Sequence, residues 1–457
     1  MRIELCRRLR DPRVLAEALG ARMHGACGEL RGISTDSREV REGDIFAVLS
    51  GAHTHGKAYI SQALANGAVG VLTQEDVCAE RGFVWTVPSV TSAFLRAAEV
   101  QRTRSRAKAV AVSGSTGKTT VKEGIAAILA QMGRVEKTEG NFNSTLGLPL
   151  SVLSFEEADF WVCELGISRS GEMLPMARAI CPDLAVLTGV GHAHIGNFAD
   201  WNALFSEKAQ IAACMRTGGR LLLPQDLPQS GLPCGEQVLF GIGRDFRMER
   251  ISHTPKGVQG DLIAPDRVIT NLRWPIPGSV GVATVTTVAA AGLLAGATTE
   301  AVCRGLEIAG KETPRMRRYF IGDRLFVQDC YNASPEATVG ALEVMTHLAQ
   351  RRPLVAVLGD MLELGDHATP LHFAVGEAVA RLGFSRLLAY GDCAEHLAGG
   401  ALQAGMSEEG IRTFAVGQEA GLIHTACKEI PVNAAVLFKA SGRMGMKEIC
   451  EEIGRRI

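Results

Sequence analysis

Two side chains of plain chemical use stand side by side in Gly114-Ser115-Thr116-Gly117-Lys118-Thr119-Thr120. Glycines let a backbone bend until its N–H groups point at anionic oxygens, and a helix N-terminus behind them adds its positive end. In such a loop Lys118 reaches the β- and γ-phosphates of a nucleoside triphosphate and the Thr119 hydroxyl ligates Mg²⁺. Gly114, Ser115, Thr116, Gly117 and Thr120 complete the cradle. The run is the shorter G-x-x-G-K-T-T form, because Val112 stands where the longer motif has glycine.

Three more residues could hold metal or charge. Glu164 closes the apolar run Trp161-Val162-Cys163, and a carboxylate at the carboxyl end of a parallel strand faces the ligand crevice. It is a candidate Mg²⁺ ligand, with a capping or surface role as the other reading. His194, in Gly191-His192-Ala193-His194-Ile195-Gly196, follows a strand ending at Thr188 and would enter the same crevice; by residue type alone His192 is an equal candidate. Lys208 falls in a helix expected from Trp201 to Met215 and, taken by itself, reads as an ordinary exposed lysine.

Positioning these groups requires alternating strands and helices. Ala109 to Val112 reads as a buried strand before the glycine-rich turn, and Val121 to Met132 as the helix after it. Leu184 to Thr188 adds another strand, giving the βαβ pattern of a mostly parallel sheet. The stretch Leu221 to Pro277 is expected to be an antiparallel insertion. Leu354 to Gly359, Leu387 to Gly391 and Ala435 to Phe438 suggest a further doubly wound α/β unit. An earlier unit mixes short strands (Asp44–Val48, Val69–Leu72) with helices (Ile60–Asn66, Ser92–Gln101), and the basic run Gln101 to Arg106 reads as a solvated linker. The fold class is therefore α/β with three domains, 1–106, 107–313 and 314–457, in keeping with 457 residues at ~150 per domain.

A formal net charge of −1 argues against nonspecific nucleic-acid binding. Twelve cysteines lie singly without a C-x-x-C pair, as buried small hydrophobes in a reducing, cytoplasmic setting. No stretch approaches the ~20 apolar residues of a membrane span.

Taken together, these motifs resemble the Mur ligase family. Ser34-Thr35-Asp36-Ser37-Arg38 followed by Gly43-Asp44-Ile45-Phe46 is similar to the family's uridine-nucleotide-binding opening. The Gly114 to Thr120 loop, Thr138 to Ser144 with Asn141 and Asn143, and Glu164-Leu165-Gly166 follow in order. Asp329-Cys330-Tyr331-Asn332-Ala333-Ser334-Pro335, Leu358 to Gly365, and Lys439-Ala440-Ser441-Gly442-Arg443 resemble the members that add D-alanyl-D-alanine.

The resemblance implies an N-terminal UDP-precursor domain, a central phosphate-loop ATPase domain and a C-terminal Rossmann-like domain. It implies that the terminal carboxylate of UDP-N-acetylmuramoyl-tripeptide attacks the γ-phosphate of ATP, and that the amine of D-alanyl-D-alanine opens the resulting acyl phosphate. It further implies two Mg²⁺ ions held by Thr119, Glu164, His194 and Lys208, the lysine as its carbamate because an ammonium cannot ligate a cation. Lys118, Glu164, His194 and Lys208 would be catalytic. Arg317, Asp329 and Asn332 would meet the nucleotide, and Ser37, Arg38, Asn141 and Asn143 the UDP precursor. Asp360, Lys439 and Ser441 would surround the dipeptide, Lys439 at its carboxylate, although Asp360 also reads as a helix N-cap after a strand. A monomer without membrane or nucleic-acid partners is expected. Four segments depart from the family: His55-Gly56-Lys57, Thr188-Gly189, Ser144 after Asn143, and Gly278-Ser279-Val280-Gly281-Val282-Ala283-Thr284, which replaces a G-x-H-N-x-x-N stretch that approaches adenine. A sister ligase adding another amino acid, or a non-catalytic relative, are the competing readings.

Overall fold

The computed structural model describes residues 1–24, 28–49, 55–75, 77, 81–233, 235–311 and 315–457. The boundary expected at 313/314 lies outside them. Three six-stranded sheets and one three-stranded sheet organise the chain. In the first sheet Gly32–Ser34, Asp44–Ala47, Gly70–Thr73 and Phe83–Thr86 run parallel, flanked by the antiparallel edges Arg2–Glu4 and Arg22–His24.

The central sheet is parallel throughout, in the order Glu236–Phe240, Arg220–Pro224, Leu184–Leu187, Lys108–Ser113, Phe160–Glu164, Val135–Lys137. Its middle strands carry continuous apolar runs because helices cover both faces; Val110, Ala111, Val162 and Val186 are wholly buried. The antiparallel insertion expected from Leu221 onward begins later. Leu221-Leu222-Leu223 is buried on both faces and extends the parallel sheet. Only Arg247–Thr254, Gly257–Ala264 and Arg267–Trp274 form the antiparallel unit. The C-terminal sheet is doubly wound: Arg324–Gln328, Ala435–Lys439, Leu354–Gly359, Arg386–Tyr390 and Ile411–Phe414 run parallel, with Arg317–Ile321 antiparallel at one edge.

The basic run after Gln101 is not a solvated linker. The helix Val90–Arg104 continues through it. Arg102 is buried and donates to the carbonyls of Ile180 and Ala107 at 2.6 and 2.9 Å and to Asp183 Oδ2 at 3.0 Å. The carbonyls of Ile180, Ala107 and Cys181 and the Asp183 carboxylate supply what a guanidinium fork needs, so tertiary partners override the local charge pattern. Among the described residues no helix is long and apolar enough to cross a membrane, and every described cysteine is free.

Candidate active site

The phosphate loop is shaped by contacts that glycine alone permits. Gly114 holds φ +146, and a Cβ there would lie 2.1 Å from Thr188 Oγ1. The backbone N–H of Ser115 donates to the Gly189 carbonyl at 2.8 Å, and Thr188 Oγ1 donates to the Thr116 carbonyl at 2.5 Å. Ser115 Oγ accepts from the Gly191 N–H at 2.9 Å, so its hydroxyl braces the loop against the segment after Leu187. Helix Lys118–Leu129 starts directly behind, with Gly117 in left-handed backbone at its N-cap. Lys118 Nζ folds back onto the Gly114 carbonyl at 2.9 Å.

Glu164 sits where its strand position implied. Its backbone N–H donates to Thr138 Oγ1 at 2.9 Å, and Thr138 is fixed in turn by the buried Lys122, whose ammonium donates to the Thr138 carbonyl at 2.5 Å. Glu164 Oε1 accepts from Asn143 Nδ2 at 2.7 Å, whereas Oε2 is buried and has no hydrogen-bond partner. An unpaired buried anionic oxygen is expensive. The orphaned atom beside a lysine- and threonine-bearing loop fits a hard divalent cation with oxygen ligands.

Lys208 overturns its reading as an exposed lysine. It is 1% exposed, and its Nζ lies 3.3 Å from the Gly114 carbonyl, the same oxygen that Lys118 contacts. Burial drives its pKa well below the ordinary lysine value and Lys118 lowers it further, against an opposing pull from Glu207. Burial also lowers Lys118, with Glu164 raising it and Arg315 lowering it. The structure therefore brings Lys118, Glu164, Lys208 and Arg315 within electrostatic reach. Arg315, whose guanidinium stacks 3.8 Å over the Tyr331 ring, was missed by the sequence reading, which chose Arg317. Arg317 instead opens an exposed edge strand with its guanidinium 5.6 Å from the Tyr319 ring. The only sequence signal was the R-x-R spacing, and choosing between its two arginines needs the third dimension.

His194 is the histidine that lines the cleft, resolving the ambiguity with His192. Its Nδ1 is bonded to Glu363, and burial holds its pKa below 6.5 despite that partner. A cavity of about 470 Å³ opens between the central and C-terminal bodies, lined among others by Asn141, His194, Asn332, Glu363, Ser441 and Arg443. A larger hollow of about 640 Å³ beside Tyr390 and Glu419 shares only Arg443 with it.

On the C-terminal side several expected ligand contacts are already engaged within the fold. Lys439 is buried and donates to Asp329 Oδ2 at 2.6 Å and to the Asn332 carbonyl at 2.9 Å, which orders the loop. Asp360 accepts from the backbone N–H groups of Asp392 and Cys393 at 2.8 and 3.0 Å. Its neighbour His372 accepts from the Met361 N–H at 2.9 Å and pairs with the Ala368 carbonyl at 2.7 Å, so both side chains are held by backbone groups while standing 3.9 Å from each other. Ser441 Oγ accepts from the Leu362 N–H at 2.9 Å while also lining the cavity. In the N-terminal body Ser37 donates to Gln62 at 2.7 Å, and Arg38 points outward, paired with Asp36 at 2.6 Å.

A strand–loop–helix phosphate cradle with a buried carboxylate, joined to a second α/β body, defines a nucleotide-binding α/β architecture. Comparison with known proteins agrees. Residues 112–295 match the Mur ligase middle domain, residues 315–442 the Mur ligase glutamate ligase domain, and residues 29–116 the Mur ligase family catalytic domain. The UDP-N-acetylmuramoyl-tripeptide–D-alanyl-D-alanine ligase of Treponema pallidum is 32% identical, over 79% of this chain and 81% of its own. That of Bacillus subtilis is 29% identical over 93% of each. A crystal structure of MurF from Acinetobacter baumannii superposes with a TM-score of 0.89 at 26% identity, covering 97% of this chain and 98% of that one. The chain belongs to the Mur ligase family.

Proposed function

We propose that this protein joins D-alanyl-D-alanine to UDP-N-acetylmuramoyl-tripeptide at the expense of ATP, through an acyl phosphate. The orphaned, buried Glu164 Oε2 beside the Lys118 loop carries the reading, because a pure binding module has no use for an uncompensated carboxylate next to a phosphate cradle. The relatives of the preceding comparison supply the substrate class.

A carboxylate that attacks a polyanionic phosphate meets repulsion, so the site must place positive charge around the transferred group. Gly114 to Thr120 present backbone N–H groups to the β-phosphate, Lys118 spans the β- and γ-phosphates, and Arg315 adds a second cation. Thr119 and Glu164 would hold one Mg²⁺, and His194 with carbamylated Lys208 a second; when bound, these ions supply Lewis acidity toward the phosphoryl and acyl oxygens. Burial that pulls the Lys208 amine well below the ordinary lysine value favours its neutral form, which is the form that adds CO₂ to give a carbamate. Asn141, Asn332, Ser441 and Arg443 form the walls against which tripeptide and dipeptide meet, while Asp329 and Lys439 hold the Asn332 loop in place.

Phosphate release from ATP, measured with UDP-tripeptide and with or without D-alanyl-D-alanine, tests the proposal. Release that needs both, with a UDP-pentapeptide product by mass, supports it; binding of the UDP precursor without turnover refutes it. A GTP arm reads whether the Gly278–Thr284 departure relaxes base choice. Stripping CO₂ should lower the rate and bicarbonate restore it, and an active Lys208→Met variant would refute the carbamate.

A further inference from the structure

The segment after the central strand Leu184–Leu187 meets the C-terminal body at two glutamates. His192 Nδ1 lies 2.5 Å from Glu336 Oε1, and the His192 backbone N–H donates to the same oxygen at 3.1 Å. Two residues on, His194 Nδ1 is bonded to Glu363 Oε2, and the Gly196 N–H donates to the Glu363 carbonyl at 3.1 Å. Gly196 and Gly365 stand back to back: a Cβ on Gly196 would lie 2.5 Å from the Gly365 nitrogen. His194 and Glu363 both hold left-handed backbone, at φ 67 and 65. Non-glycine residues keep that conformation where the surroundings over-determine it. Glu363 further takes Arg443 at 3.5 Å.

We propose that Glu363 is a positioning residue that couples docking of the C-terminal body to the orientation of His194. The proposal rests on the ligase reading and on His194 acting in the cleft. A carboxylate on Nδ1 fixes the ring and leaves Nε2 as the acceptor offered to the cavity. Because the carboxylate belongs to the opposite body, His194 is held in working orientation only while the two bodies are together. The Glu336–His192 pair ties the same segment to the same body, yet neither residue lines the cavity. It therefore serves as an internal control for simple adhesion.

The test uses the full chain with Glu363→Gln, Glu363→Asp and Glu336→Gln. Loss of a carboxylate behind a ligating histidine typically costs ~10–100-fold, so kcat of Glu363→Gln should fall by about that factor, with KM for the UDP precursor and the melting temperature near wild type. Glu363→Asp should recover part of kcat, and Glu336→Gln should leave it within about threefold. A Glu363→Gln variant that matches Glu336→Gln, or whose loss appears in KM or melting temperature instead, overturns the proposal. A readout free of turnover is the ring-proton resonance of His194 Nδ1–H, assigned by its absence in His194→Gln. It should be shifted far downfield in wild type and move upfield in Glu363→Gln; an unchanged resonance overturns the proposal. If wild type fails to ligate while this resonance still responds to Glu363, the substrate reading has failed and the coupling has not.

Discussion

Two sets of buried polar side chains, Glu164 and Lys208 on the central body and Asp360, Lys439 and Ser441 on the C-terminal body, are satisfied in opposite ways. On the central side Glu164 Oε2 has no partner, and the amine of Lys208 has a single contact at 3.3 Å. On the C-terminal side Asp360, Lys439 and Ser441 are buried and each satisfied by groups of the protein itself. Buried polar groups are ordinarily paired, so under the proposed function the unpaired set is where ligand and metal would complete the structure. The paired set is held by the fold itself. Residue type does not separate the two; the state of hydrogen bonding does.

The sharpest way to break this contrast is Glu164→Gln. Removing the carboxylate proposed to hold Mg²⁺ beside the transferred phosphoryl should lower kcat by ~10²–10³-fold. Because Oε2 has no hydrogen-bond partner and a Gln carbonyl can still accept from Asn143, thermal stability should hold or rise. A loss of stability with retained activity would place Glu164 among the scaffold. Lys439→Met should behave in the reverse sense: it strands Asp329 and should cost about 3 kcal/mol in urea unfolding.

A weaker effect is expected at the joint where His253 and His347 lie 4.8 Å apart between the antiparallel unit and helix Pro335–Ala349. Burial, then His253, hold His347 below 6.5, against Glu343. The folded state thus binds fewer protons than the unfolded chain, whose histidine titrates at 6.5. This contribution is fully favourable above that pH and is lost as pH falls below it. Stability should drop as pH is lowered through that range, and His347→Gln should flatten the drop. The smallest effect belongs to Arg38→Ala. The Arg38–Asp36 pair is solvent-facing, and such pairs contribute little, so the melting temperature should not move measurably. A raised KM for the UDP precursor would show that Arg38 serves a ligand.

Legibility in the sequence followed the range of the interactions. The phosphate loop, its strand and its helix are local, and seven consecutive residues specify them. Glu164 was readable because a strand end fixes where a side chain points. Lys208 was not, since its burial is made by the phosphate loop 94 positions away. Glu363 and Arg315 were missed for the same reason: their partners His194 and Lys118 lie on another body. Within Leu221 to Pro277 the turns hid two parallel strands, because a helix-free crossover imitates an antiparallel insertion.

Arg102 has a mechanical meaning. Its guanidinium is fastened to three carbonyls and Asp183 across the junction of the first two bodies. Leu150 and Leu153, from the central helix Gly147–Ser154, are built into the N-terminal core. What the charge pattern suggested was a tether is a weld. The first two bodies therefore share buried contacts across their junction. A fragment beginning after residue 106 would lose the plug that seals that junction.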